Sequence, residues 1–507
     1  MAIENIIIQA GGKGTRLEKY TYNKPKCLVP VNNLPILFYA FKKFPNAKFQ
    51  IICDYKRDVL EKYLSIFAKE YDYTLVATDE IGTSAGISSA LDNINEYEPF
   101  MLMWSDLILS SNFSLPECIN DNYLGISENF ECRWAYIDNI LMEKPSLENG
   151  VAGLFVFKDK RQLTGVPQKG AFVEWLKIKN ITFRSLSLNE SLEIGTILSY
   201  NECNDNSNKC RPFNRIEFDR KYAVKTPITQ QGIELAKHEI AWYKKVQATG
   251  FSKIPEIYSF SPLKMSRVSG KNIFEYTDLS VAQKEIILNK IIAAIRELHS
   301  AEKPVDVIVS DVIESYLNKT FSRIKDVQDM IPFAHDKHII INGRKCRNVF
   351  LCYDEIKQIV NKCIPEKFKL IHGDITFSNL MFDSFEEEVV LLDPRGYFGK
   401  TQYYGDEYYD WAKVYYSLVG NYDQFNRKNF ILKIEQDKVF LKIGSNNWED
   451  MEEQFFLLLP EISKEKVRLL HALIWLSLTT YAWEDYDSIC GAFYNGLLYL
   501  NEVMEWN

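Results

Sequence analysis

Hydrophobic positions along the chain gather into short runs and periodic stretches. Ile6-Ile7-Ile8 is a β-branched run and Phe100-Met101-Leu102-Met103 an apolar one; each predicts a buried strand. A helix-like segment starts at Gly82-Thr83-Ser84-Ala85-Gly86-Ile87 and runs through Ala90 and Leu91. Strands alternating with helices predict an α/β fold with an open, doubly wound, mainly parallel sheet and its site at the strand carboxyl ends. The polar stretch Asn201–Cys210 breaks this pattern. It sets the expected domains as residues 1–203, a linker at 204–212, and residues 213–507.

The second pattern is different. Ile216 to Lys225 reads as one strand, followed by a periodic helix from Ile233 to Val246 and an amphipathic helix from Leu288 to His299. His299 reads as a packed structural histidine. His338 to Arg344 reads as the start of a hairpin with an Asn-Gly turn. Short buried strands are expected at Leu370-Ile371 and Val389–Leu392. The tail from Lys464 to Trp506 is helical, and its aromatic stripe is expected to be core. Trp475, Trp483, Glu484 and Asp485 are kept as an alternative lining for an acceptor pocket, suited to a quaternary ammonium.

Bulk numbers narrow the class. The 507 residues exceed one ordinary domain, and 46% hydrophobic with 25% charged residues is globular composition. A net charge of −8 disfavours nucleic acid or an acidic membrane surface as partner. None of the ten cysteines forms a C-x-x-C pair, no apolar run reaches bilayer length, and the start is too short and acidic for a signal peptide. A cytoplasmic protein without membrane insertion is expected. A zinc pair at Cys203 and Cys210 is not expected, since no partner pair is visible. The oligomeric state is not read from the sequence.

Candidate chemistry centres on Leu370-Ile371-His372-Gly373-Asp374-Ile375-Thr376-Phe377-Ser378-Asn379, then Val389-Val390-Leu391-Leu392-Asp393. Phosphoryl transfer needs a carboxylate for the proton of the attacking hydroxyl and oxygen ligands for Mg²⁺ on the phosphates. Asp374 suits the first role; Asn379 and Asp393 suit the second. The stretch resembles the aminoglycoside phosphotransferase and choline kinase family, relatives of protein kinases. The resemblance implies a two-lobed, protein-kinase-like α+β domain, ATP, Mg²⁺ and a small-molecule hydroxyl acceptor. It implies that Lys225 grips phosphate and that Glu239, or failing it Glu234, holds Lys225 in line. It also implies that the Lys264–Gly270 segment with Met265 joins the lobes and offers its backbone to adenine, and that Asp410 braces the catalytic loop. No clean glycine-rich loop precedes Lys225, which departs from protein kinases. Arg395 is left open between binding phosphate and pairing with an acid.

In the first half, Gln9-Ala10-Gly11-Gly12-Lys13-Gly14-Thr15-Arg16-Leu17 follows the first strand. Backbone N–H groups of such a loop act as anion donors, and Arg16 and Lys26 add cations for phosphate. With Lys24-Pro25-Lys26 and Pro30 to Leu37, the segment resembles nucleotidyltransferases that make nucleotide-activated sugars and alcohols. The resemblance places Gly11, Gly12, Gly14 and Thr15 at the nucleotide, and Gly82 and Thr83 against its base. It implies Asp106 and Glu193 as Mg²⁺ ligands, and Glu143, Lys144 and Gly153 at the sugar phosphate.

The two halves imply consecutive steps. A kinase would phosphorylate a small sugar or polyol with ATP. A nucleotidyltransferase would join that phosphate to a nucleoside monophosphate from CTP or another NTP, activating a precursor for surface polysaccharide. One alternative is a choline or ethanolamine kinase fused to its cytidylyltransferase. Another is a catalytically silent kinase-like lobe, against which Asp374, Asn379 and Asp393 argue.

Overall fold

A computed structural model describes residues 3–204 and 214–504. The expected linker lies almost wholly outside these residues, as does Cys210. The described residues divide into two compact units. The first takes the chain up to 204 and a short return, Glu484–Asp487; the second takes the rest from 214 onward.

The first unit is built on a nine-stranded sheet. Its Asn5–Gln9 strand runs parallel to Lys48–Cys53 on one side and to Phe100–Trp104 on the other, with Asp72–Ala77 parallel beyond. Ile6, Ile7 and Ile8 are buried, as the β-branched run requires. Gln9 stands opposite Trp104, so the loops that leave both strands emerge at the same edge. The sheet is mixed rather than mainly parallel. Gly150–Phe157 runs antiparallel to Phe100–Trp104 and to Tyr123–Ser127. No helix separates the strands between Tyr123 and Phe157, and antiparallel pairing needs no crossover. In the return segment, Asp485 Oδ1 lies 2.8 Å from the buried Lys24 Nζ, and Asp487 pairs with the same ammonium.

The second unit opens with a four-stranded antiparallel sheet: Asn214–Phe218, Tyr222–Pro227, Leu263–Ser266 and Ile257–Phe260, in that spatial order. The single strand expected over Ile216–Lys225 is a hairpin. Asp219, Arg220 and Lys221 make the turn, closed by Asp219 N donating to Tyr222 O at 2.9 Å. The helix Gln230–Gln247, capped by Thr229, packs Trp242, Tyr243 and Val246 into the core. Helices Val281–Ser300, Glu407–Leu418, Lys464–Ser477 and Tyr486–Met504 build the larger lobe. The Asn-Gly hairpin forms, with Asn342 and Gly343 both at positive φ, between His338–Ile341 and Arg344–Arg347.

The tail's aromatic stripe is core. Trp475 is fully buried and its Nε1 donates to His471 Nε2 at 2.9 Å. Asp485 is held by Lys24. The alternative pocket of Trp475, Trp483, Glu484 and Asp485 is therefore set aside, because its central ring is packed and one of its carboxylates is neutralised. No helix among the described residues is long and apolar enough to cross a membrane.

Candidate active sites

At the sheet edge of the first unit, Lys26 Nζ lies 2.5 Å from Asp106 Oδ2. Asp106 follows the Phe100–Trp104 strand, and Ser105 N donates to Gln9 O at 3.1 Å. Glu193 reaches the same place because Leu192–Glu193 pairs with Leu107–Ile108, and Ile194 N donates to Asp106 O at 2.9 Å. Burial raises the Glu193 carboxyl above its usual range and Asp106 adds to this, against the pull of Lys26 and Arg16. Two neighbouring carboxylates, one of them destabilised by the other, fit a hard divalent cation that shares phosphate oxygens.

The loop before Arg16 is shaped by Gly14, at φ +63°; a Cβ there would meet Lys26 Cβ at 3.0 Å. Gly11 N donates to Gln9 Oε1 at 3.5 Å, while Gly12, Thr15 and Arg16 are exposed. Gln9, which the sequence reading left without a role, organises this edge. Its Nε2 donates to Thr83 O at 2.9 Å and Ala85 O at 3.0 Å, tying the first strand to the 82–86 turn. Gly82 O accepts from Ala85 N within that turn. Gly153, at φ +71°, lies against Trp104, where a Cβ would stand 2.0 Å from Cδ1. Glu143 and Lys144 are exposed, and Glu143 pairs with Arg133. Among the described residues, no hydrogen bond or ion pair joins them to Asp106 or Glu193.

In the second unit, Lys225 Nζ lies 2.9 Å and 3.0 Å from the Glu239 oxygens and 2.8 Å from Asp393 Oδ1. Glu234 is instead paired with Lys237 on the surface. Burial pushes the Glu239 carboxyl up, ahead of the opposing pull of Lys225, while the two carboxylates together hold the Lys225 ammonium charged. One cation shared between two acids explains both directions. Asp393 sits at φ +53°, a left-handed conformation that a non-glycine residue holds only where its surroundings enforce it.

Asp374 and Asn379 meet in the turn after Leu370: Asn379 Nδ2 donates to Asp374 O at 2.8 Å and to Oδ2 at 3.1 Å. That leaves Asn379 Oδ1 as an acceptor, so Asn379 and Asp393 offer oxygen ligands that fit Mg²⁺. The frame around them is buried. Asp410 accepts from His372 N at 2.9 Å and Gly373 N at 2.7 Å, and from His299 Nε2 at 3.0 Å. Burial lowers the His372 pKa, so the ring is neutral. Its Nε2 donates to Leu392 O at 2.9 Å while Nδ1 accepts from Asp374 N at 3.2 Å, linking the Asp374 turn to the segment bearing Asp393. Trp242 Nε1 donates to Ile371 O at 2.7 Å.

Lys413 Nζ lies 2.9 Å from Asp374 Oδ1. The sequence reading did not single it out. The available signal is its place three residues after Asp410 on one helix, which puts both on one face. Met265 corrects the adenine expectation. It lies in an inner strand, opposite Ala223 on one side and Ile257 on the other. Ladder pairing occupies that backbone, so the chain between lobes begins only after Ser266.

Residues 6–114 match the family model of the MobA-like NTP transferase domain, and residues 213–431 match that of the phosphotransferase enzyme family. This chain joins a nucleotidyltransferase domain to a phosphotransferase domain. Similar proteins include the UTP–glucose-1-phosphate uridylyltransferase of Haloferax volcanii, 30% identical over 111 residues, 21% of this chain and 44% of that protein. The mannose-1-phosphate guanyltransferase of Saccharomyces cerevisiae is 30% identical over 114 residues, 21% of this chain and 32% of that protein. The chain thus spans less than half the length of either relative. A solved UDP-glucose pyrophosphorylase complexed with UDP-glucose aligns over 40% of this chain and 98% of its own, with TM-score 0.34 and 16% identity. The nucleotidyltransferase match ends before Glu143, Gly153 and Glu193. The phosphotransferase match includes Lys225, Glu239, Asp374, Asn379, Asp393 and Lys413. Both families act on NTP substrates, typically with Mg²⁺.

Proposed function

We propose that the chain phosphorylates a small sugar or polyol with ATP and then couples the new phosphate to a nucleoside monophosphate, releasing pyrophosphate. The observation that carries this reading is the presence of two charged clusters in one chain, each suited to the phosphates of a nucleotide. One is Lys26, Asp106, Glu193 and Arg16. The other is Lys225, Glu239 and Asp393 beside Asp374 and Asn379.

In the phosphotransferase domain, Lys225 steadies the ATP phosphates and Glu239 fixes its position. Asn379 and Asp393 would hold Mg²⁺, which when bound neutralises charge on the transferring phosphoryl group. Asp374 accepts the proton as the acceptor oxygen bonds to the γ-phosphorus and the bond to the β–γ bridging oxygen breaks, releasing ADP. Lys413 keeps that carboxylate oriented. A loose transition state asks positioning of that carboxylate more than basicity.

In the nucleotidyltransferase domain, an oxygen of the substrate phosphate attacks the NTP α-phosphorus and the α–β bridging bond breaks. The nucleophile is already anionic, so no general base is required. Lys26 and Arg16 offset charge on the leaving pyrophosphate, and Asp106 with Glu193 would hold the cation that shares its oxygens. The relatives named for sugar 1-phosphates support a sugar phosphate at this step. The product is an activated precursor for surface polysaccharide, made in the cytoplasm without a nucleic-acid partner. The test is to incubate the purified chain with each common NTP and a panel of phosphorylated alcohols while following pyrophosphate. Release with a sugar or polyol phosphate is expected; release with none of the panel would refute the transferase step.

A further inference from the structure

The phosphotransferase domain holds a half-open cavity of about 370 Å³ whose charges do not balance. Lys225 is matched by Glu239 and Asp393, and Lys413 by Asp374. Three further basic side chains line the same cavity: Lys319, Arg323 and Arg395. Among the described residues none of the three forms an ion pair with a carboxylate. Arg323 Nη1 donates to Ser477 O at 2.7 Å and Ser477 Oγ at 3.2 Å, which fixes the guanidinium and leaves its other N–H groups without a partner among the described residues. Arg395 Nη1 donates to Tyr409 Oη at 3.0 Å, and its guanidinium lies 4.3 Å from the centre of the Tyr397 ring.

Lys319 and Arg323 sit four residues apart on the helix Lys319–Asp326, so they share a face. That helix follows a π-helical turn, Glu314–Asn318, a geometry found frequently at functional sites. Burial first, then Arg395, Arg323 and Lys413, push the Lys319 pKa well below its ordinary value against the pull of Asp374, so an anion beside Lys319 is what would hold it charged. The charged neighbours that act most on Lys319 are thus the catalytic carboxylate and the other basic groups of this wall. Two buried hydroxyls of the wall, Ser315 Oγ and Tyr416 Oη, have no hydrogen-bond partner among the described residues. Basic groups without a carboxylate partner, in one wall with unsatisfied hydroxyls, describe a receptor for an oxyanion.

We propose that the acceptor of the phosphotransferase step is an anionic alcohol, whose carboxylate or phosphate is held by Lys319, Arg323 and Arg395 while its hydroxyl faces Asp374. This deepens the kinase reading above and rests on it. A quaternary ammonium alcohol is disfavoured here. It would meet a lining of five basic against three acidic side chains, and the Tyr397 ring that could have faced it already carries Arg395.

The test measures ATP-dependent phosphorylation by the full chain of four alcohols of similar size: a neutral polyol, its carboxylic acid, its monophosphate and choline. One of the two anions is expected to exceed the neutral polyol in kcat/KM by about 10² or more, since a site built on polar contacts rejects an analogue that lacks them. Which anion wins identifies the oxyanion. Arg323→Gln and Lys319→Met should each raise the KM of that anion roughly 10-fold to 100-fold, and Arg323→Lys should recover part of the loss. A neutral polyol or choline as the best acceptor overturns the inference and leaves the kinase reading standing. So does a rise confined to the KM of ATP in folded variants. Phosphorylation of no alcohol of any charge would defeat the kinase reading, and the inference with it.

Discussion

Glu239→Gln probes the phosphotransferase site at its most constrained point. The change keeps shape and removes one charge from a pair whose side chains are only 11% and 8% exposed. Breaking a buried ion pair by removing one partner costs roughly 3–5 kcal/mol when the other charge is stranded. Here Lys225 is not stranded, because Asp393 Oδ1 remains 2.8 Å away, and burial already disfavours the Glu239 charge. The stability cost should therefore be smaller, about 1–2 kcal/mol, close to the loss of one charge-assisted hydrogen bond. Activity should suffer more. Without Glu239, Lys225 has Asp393 as its one remaining carboxylate among the described residues, so the cation proposed to grip phosphate and the proposed metal ligand are displaced together. A loss of about 10²–10³ in kcat/KM for ATP-dependent phosphorylation is expected, the scale of removing one preorganised electrostatic contact. The assay follows ADP release and, in parallel, pyrophosphate release from a supplied phosphorylated substrate. A folded Glu239→Gln protein that phosphorylates within a few-fold of wild type would show that the pair has no catalytic part.

Three further outcomes follow from particular contacts. Lys26→Ala should lower nucleotidyl transfer by about 10²–10³ and leave the phosphorylated intermediate to accumulate; pyrophosphate release near the wild-type rate would remove Lys26 from that site. Gly153→Ala places a methyl group 2.0 Å from Trp104 Cδ1 at φ +71°. It should destabilise the nucleotidyltransferase domain by roughly 2–5 kcal/mol, adding overpacking to left-handed strain, and an unchanged urea midpoint would contradict the described backbone. Burial acts to lower the His299 pKa, but Asp410 and then Glu407 outweigh it and the net pKa is raised. Its contribution to stability is therefore complete below the unfolded histidine pKa of about 6.5 and is lost as pH rises through the higher folded value. Urea unfolding across that window should show the decline in wild type and a flatter profile in His299→Gln; parallel profiles would assign the decline elsewhere.

What the sequence disclosed depended on how local the cause was. The strand leading to Asp393 and the Asp374–Asn379 turn are short segments marked by their own apolar and polar positions, although the left-handed backbone at Asp393 is enforced by its surroundings. Glu239 lies on the helix that follows the Lys225 strand, close enough in sequence to be named its candidate partner. Glu193 was reachable only through resemblance, because a two-residue strand across from Leu107 brings it to Asp106. Met265 was misread because an inner strand and an interlobe connection carry the same mixture of apolar and polar residues; only pairing on both sides tells them apart. The antiparallel half of the first sheet was hidden for a similar reason, since strand direction follows from connections rather than composition. Lys319 and Arg323 gave no signal as basic residues on helices, where most are solvated, and Lys413 gave only its place three residues after Asp410. Their meaning comes from lining one cavity and from which carboxylates are already taken.

The central claim is that two separate sites act in sequence on one acceptor, and paired inactivation tests it most directly. Asp374→Asn and Asp106→Asn proteins are each given the alcohol, ATP and the NTP, and products are resolved by mass. The Asp106→Asn protein should accumulate the phosphorylated alcohol. The Asp374→Asn protein should form no nucleotide-linked product until that phosphorylated alcohol is supplied, and then form it at the wild-type rate. A nucleotide-linked product made from the bare alcohol by the Asp374→Asn protein, or failure of the supplied phosphate ester to restore it, would contradict the sequence of steps.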